Sequence, residues 1–246
     1  MNLALGNLLV ILAAIGLAEP SVWWFRGSRS WGYLILLGGV TAAYALDRLL
    51  DAPTPHRSQV ARRFIPPLIL GAGIAAYSLA QSPSLFPLVA LLALMAGLYV
   101  PLKRYIPKGV LTAGAWAMAV TWLPPSTTPD ALAGLPFAAA VLLVVGANAL
   151  LCDAQDVEAD RANGIRGLAP LLGEARASRI AAILALLGSS IAMAAGPWPL
   201  AAAGFPLSLA GLFPPAPMNK GRRRTLLDLA LVLPGIITFA LPRHHG

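Results

Sequence analysis

Long apolar runs, each closed by a proline, a glycine or a cluster of charge, recur along the whole chain, at about residues 3–24, 31–46, 64–80, 85–100, 109–123, 131–152, 177–195, 198–213 and 225–241. Runs of this kind leave few places for a solvated surface. Charged residues make up only 11% of the 246 residues, against about 25% in an ordinary soluble domain. The pattern predicts a polytopic, all-α membrane protein with nine spans around a central cavity. No polar stretch is long enough for a separate extramembrane core, so residues 1–246 are read as one domain.

The basic residues give an independent test of this count, because alternate loops of a nine-span chain lie on the same side of the membrane. The loops after the second, fourth, sixth and eighth runs hold fifteen of the 18 Lys and Arg, leaving Arg26, Arg29 and Arg243 for the other side. The positive-inside rule then puts the rich loops in the cytoplasm, with a cytoplasmic N-terminus and an outside C-terminus. This is the topology of a multi-pass protein of a bacterial-type inner membrane. Basic groups confined to short loops fit orientation and phosphate binding, and they argue against a nucleic-acid partner. Cys152 is the only cysteine, which excludes an internal disulfide and a cysteine-based metal site.

Two clusters hold five aspartates of the chain's ten acidic residues, Asp47 and Asp51 in DRLLD and Asp153, Asp156 and Asp160 in DAQDVEAD. A carboxylate at the centre of a span costs roughly 2.5 to 3.5 kcal/mol on insertion scales, so five near a bilayer need position or cations to compensate them. Both clusters close spans on the predicted cytoplasmic side. Spacings of four, and of three then four, put each set on one face of a continuous helix. Rows of hard oxygen donors suit Mg²⁺, which is commonly held by one or two carboxylates together with substrate phosphates. The plainer reading makes them helix-end carboxylates paired with Arg48, Arg57 or Arg161. A further polar cluster, LYVPLKRYIPK, brings Tyr99, Lys103, Arg104 and Lys108 to the next loop on the same side, where cations can meet phosphate oxygens.

These residues resemble the UbiA superfamily of intramembrane prenyltransferases. The family's second acidic motif, an Asn followed by DxxDxxxD and a Gly- and Leu-rich segment, is similar to NALLCDAQDVEADRANGIRGLAPLLG, with Asn148, Asp153, Asp156, Asp160, Gly164 and Gly173. Its YxxxK element looks like Tyr99 to Lys103. The first motif, NDxxDxxxD in the family, reads AYALDRLLD here, so Ala43 and Tyr44 stand where the family has Asn and Asp, while Asp47 and Asp51 remain. Gly167 stands where the family often has Thr. The resemblance spans nearly the whole chain.

The resemblance implies Mg²⁺-assisted transfer of a prenyl group, an alkyl group larger than methyl, from a prenyl diphosphate to a lipophilic and often aromatic acceptor. Asp47, Asp51, Asp153, Asp156 and Asp160 would hold the metal. Arg57, Tyr99, Lys103, Arg104, Asn148 and Arg161 would bind substrate. A cyclase using the same ionisation, and a non-catalytic prenyl-lipid binding protein, are the alternatives. A solute transporter fits less well, since such sites commonly lie near the midplane. His56 is read as a solvated loop histidine. Trp23, Trp24 and Phe25 are read as interfacial anchors, Trp116 and Trp122 as packing residues, and KGRRR as a topogenic loop in contact with anionic lipid.

Overall fold

A computed structural model describes residues 3–25, 28–50, 57–102, 107–125, 130–162, 167–213 and 220–241. Their named elements are helical, with α1 Leu3–Trp24, α2 Trp31–Leu50, α3 Arg57–Gln81, α4 Phe86–Leu102, α5 Lys108–Trp122, α6 Ala131–Ala154, α7 Val157–Ala162, α8 Leu168–Leu172, α9 Glu174–Ala195, α10 Ala201–Leu212, α11 Lys220–Ala230 and α12 Leu233–Ala240. Four are long and apolar enough to cross a membrane, Trp31–Leu50, Arg57–Gln81, Leu132–Ala154 and Glu174–Ala195. Shorter apolar helices follow at Leu8–Trp24, Pro83–Tyr99, Gly109–Trp122 and Trp198–Leu212. The protein is an integral membrane protein.

The ninth apolar run is divided. Pro234 falls in the first turn of α12 and has no N–H to give the Ala230 carbonyl, while the N–H groups of Leu231 and Val232 turn to Asp228 and Leu229 three residues back. The chain therefore breaks between a polar α11 and an apolar α12. Gly235 lies against Gly16 of α1, and a Cβ on Gly16 would strike the Leu231 carbonyl.

Helices pack through small residues, which is how spans associate when lipid removes the hydrophobic drive. At the crossing of α2 and α3, a Cβ on Gly38 would lie 2.6 Å from the Gly71 carbonyl oxygen, and one on Gly71 would lie 2.6 Å from that of Gly38. Gly188, Gly204 and Gly211 bring α6, α9 and α10 together in the same way. Gly196 ends α9 at φ 105°, and a side chain there would meet the Trp24 ring.

One end of the bundle is tied by polar and aromatic contacts. Ser30 Oγ donates to the carbonyls of Leu123 (2.9 Å) and Pro124 (3.1 Å), and Phe25 meets Phe137, Trp23 meets Trp198 and Trp31 meets Tyr77. Buried Glu19 accepts at Oε1 from Arg29 Nε (2.8 Å) and from the Tyr33 hydroxyl (2.7 Å). That hydrogen bond holds the Arg29 guanidinium above the ordinary arginine value, against the opposing effect of burial. Arg29 also lies over the rings of Tyr33 and Phe239. The starts of α2 and α6 therefore share this end, and their acidic C-terminal ends share the other.

Candidate active site

At the acidic end, α6 carries Asn148, only 8% exposed, one and a half turns before Asp153. Its Nδ2 donates to Asp228 Oδ1 of α11 at 3.3 Å, and its Oδ1, also buried, has no hydrogen-bond partner. An amide oxygen is a hard acceptor, of the kind that can receive a donor hydrogen or a hard cation.

The continuous helix expected through the second motif is interrupted. Gln155 turns its side-chain amide back to the Leu151 carbonyl (3.3 Å), while the N–H groups of Gln155 and Asp156 bond three residues back, to Cys152 and Asp153. Helical spacing resumes in α7, where the Asp160 N–H reaches the Asp156 carbonyl (2.8 Å). Asp153 consequently lines an apolar crevice of about 190 Å³ between α5, α6 and α9, with Val110, Leu150 and Leu184. Asp156 interacts electrostatically with Arg224 of α11, and Asp160 is buried. The single-face arrangement of the three carboxylates is thus modified by one tight turn.

In the first motif, Asp47 pairs with its neighbour Arg48 at 3.4 Å, both side chains about a third exposed. The Arg48 guanidinium lies 5.0 Å from the centre of the Tyr44 ring, which in turn packs on Phe64 of α3. Tyr44 therefore ties α2 to α3. Asp51, Lys103, Arg104 and His56 lie outside the described residues. Arg57 is exposed at the start of α3, and Tyr99 is half-buried near the end of α4. Arg161 gives Nε and Nη2 to the Pro170 carbonyl (2.9 and 2.7 Å), buckling α7 to α8. It also lines a polar cavity of about 340 Å³ with Gln155, Glu158, Glu174 and Arg223.

The described parts of both motifs, with Asp47 near the end of α2 and Asp153 near the end of α6, thus lie toward the same end of the bundle. Among the described residues, no three His, Cys, Asp or Glu are gathered closely enough to hold a metal by themselves. Arg224 of α11 interacts electrostatically with Cys152, Asp228, Asp156 and Tyr44. Sequence reasoning missed Asp228 and Arg224 because α11 was divided between a loop and a span. A carboxylate inside the predicted ninth span was the signal that could have found Asp228.

No protein-family model matches the sequence, and no curated relative is detected. The apo structure of a UbiA homolog from Aeropyrum pernix K1 superposes on 94% of this chain and 98% of its own, with a TM-score of 0.69 and 17% identity. The class is therefore that of helical membrane proteins with a polar site at one end of the bundle. Within it, the fold is the UbiA fold.

Proposed function

We propose that this protein is a UbiA-superfamily prenyltransferase, transferring a prenyl group from a prenyl diphosphate to a lipophilic, aromatic acceptor at the cytoplasmic end of its nine-span bundle. What supports this reading is a UbiA fold in which the C-terminal ends of α2 and α6, which carry Asp47 and Asp153, lie toward one end of the bundle, with the Oδ1 of Asn148 buried on α6.

Carboxylates and an amide oxygen form a hard donor set that suits Mg²⁺, and one or two carboxylates suffice when substrate phosphates complete the shell. Asp47, Asp51, Asp153, Asp156 and Asp160 would hold it. When bound, the ion supplies positive charge against the pyrophosphate that develops as the bond breaks. Arg57, Lys103 and Arg104 are assigned to the diphosphate oxygens. Arg161, with two nitrogens committed to Pro170, is assigned to holding the segment that bears Asp160. Tyr99 and Asn148 orient the headgroup.

The allylic C–O bond breaks with its electron pair leaving on pyrophosphate, and a carbon of the acceptor ring forms the new bond to the allylic cation. The ring proton is then lost to pyrophosphate or solvent. Apolar helices around the chain keep water from that cation.

A second reading is favoured by Tyr44, which packs on Phe64 where the family pattern has an aspartate. On that reading the protein binds prenyl diphosphate and Mg²⁺ without cleaving it. The test is pyrophosphate release in detergent from prenyl diphosphates of graded length. Mg²⁺-dependent release that collapses in Asp153→Ala and Asp47→Ala supports catalysis. Binding without release supports the second reading, and unchanged turnover in both variants removes the assigned roles.

A further inference from the structure

The span α6 ends at Ala154 and the span α9 begins at Glu174. Helices of this length, rising about 1.5 Å per residue, carry their ends out of a hydrocarbon layer of roughly 30 Å, so both residues stand at headgroup depth. The polar cavity of about 340 Å³ lies between them, lined by Gln155, Glu158, Arg161, Gly173, Glu174 and Arg223.

Within this cavity the charge of Arg223 is poorly matched. Its side chain is only 12% exposed, yet its ion pair with Glu174, Nη1 to Oε1, is long at 3.5 Å and is made to a carboxylate side chain that is 60% exposed. Its Nε and Nη2 are enclosed by protein and meet no acceptor among the described residues. Taking a guanidinium out of water is offset only when its donors are met, and an exposed carboxylate at that distance offsets little. The other charged groups that line the cavity, Glu158, Arg161 and Glu174, are exposed, and Arg161 already gives Nε and Nη2 to the Pro170 carbonyl. The buried excess charge is therefore positive. A second set of donors borders the same space. α9 starts at Glu174 with no side-chain cap, after Gly173 at φ 80°. The first N–H groups of a helix have no partner within it and favour an anion, and a Cβ on Gly173 would meet nothing within 4 Å, so the approach to this turn is open.

We propose that this cavity is a phosphate-binding site, in which the phosphate group of a membrane phospholipid replaces Glu174 on the Arg223 guanidinium and sits against the uncapped start of α9. Two oxygens of a phosphodiester match two guanidinium nitrogens, and Nη2 joins Nη1 as the second donor when the side chain turns toward the phosphate. The displaced Glu174 carboxylate turns to the water that already reaches it. A free phosphate offers the same oxygens, but a cavity at headgroup depth favours the lipid. The inference does not depend on the prenyltransferase reading and holds whether or not the protein cleaves a prenyl diphosphate.

The test is native mass spectrometry of the full-length protein released from detergent, titrated with phosphatidylglycerol and with diacylglycerol of the same chains, together with calorimetric titration of inorganic phosphate. Phosphatidylglycerol is expected to bind saturably and more tightly than diacylglycerol. Loss of the charge-assisted contact in Arg223→Gln should weaken it by about tenfold to hundredfold. Glu174→Gln, which removes the competing carboxylate, should strengthen it severalfold, and Arg222→Gln should leave it unchanged. Opposite signs for the two partners separate a ligand site from a structural ion pair, whose loss would act alike from either side. Lipid binding that depends on Arg223 assigns the site to the headgroup, and Arg223-dependent binding of inorganic phosphate without such lipid binding assigns it to free phosphate. Equal affinity of wild type and Arg223→Gln for both ligands overturns the inference, as does diacylglycerol bound as tightly as phosphatidylglycerol with no affinity for phosphate. Should Arg223→Gln not fold, Glu174→Gln carries the test, and unchanged or weakened affinity for both ligands in that variant overturns the proposal.

Discussion

Removing Arg29 isolates the Glu19 carboxylate, and the cost can be worked from its surroundings. Glu19 is 3% exposed and its Oε1 accepts two hydrogen bonds, from Arg29 Nε and from the Tyr33 hydroxyl. Breaking a buried ion pair by deleting one partner typically costs 3–5 kcal/mol, because a charge is left without compensation. Here the Arg29 side chain is 40% exposed, so water already screens part of the attraction and the expectation falls to about 2 kcal/mol. Tyr33→Phe removes one hydrogen bond to a charged group and should cost about 1.5–3 kcal/mol. For a chain of this length, Arg29→Leu should lower the melting temperature by about 4–8 °C, read by thermal unfolding in detergent micelles. Glu19→Gln combined with Arg29→Leu should be less destabilised than the sum of the single changes, because the amide needs no counter-charge. Strict additivity, or no shift in Arg29→Leu, would falsify the account of this end as an electrostatic clasp.

Two other perturbations address the packing and the helix ends. Gly38→Val puts a branched side chain where even a Cβ would lie 2.6 Å from the Gly71 carbonyl and 2.8 Å from the Ala75 amide nitrogen. A loss of about 1–3 kcal/mol is expected, measured as reduced unfolding stability, and a wild-type melting curve would mean that α2 and α3 do not cross there. Asp130 caps α6 by accepting from the N–H groups of Leu132 (2.6 Å) and Ala133 (3.2 Å). Asp130→Ala should therefore cost about 1 kcal/mol in stability while pyrophosphate release, measured in detergent as above, stays at the wild-type value.

The contrast among the acidic residues marks how far local pattern reaches. Asp130 is a cap, Glu19 a clasp, Asp228 a partner of Asn148, and the described motif aspartates Asp47, Asp153, Asp156 and Asp160 lie at or just beyond the ends of α2 and α6. The motif aspartates were recognisable because their spacing and their position after apolar runs are written along one stretch of chain. Asp228 was not, since its partner is 80 residues away in the sequence. Arg224 was read with its neighbours as a basic loop, although Arg222, Arg223 and Arg224 meet three different surroundings once α11 is helical.

Apolar runs, loop charges and acidic spacings established the helical membrane fold and the end at which the polar groups collect, because the cost of placing charge in lipid acts on each segment separately. Packing decided the rest. Close approach at glycines such as Gly16 and Gly38 sets which helices touch, the tight turn at Gln155 separates the surroundings of Asp153 from those of Asp156, and the break before Pro234 lets α11 bring Asp228 to Asn148. Those outcomes depend on contacts between segments far apart in the chain, for which linear spacing carries no signal.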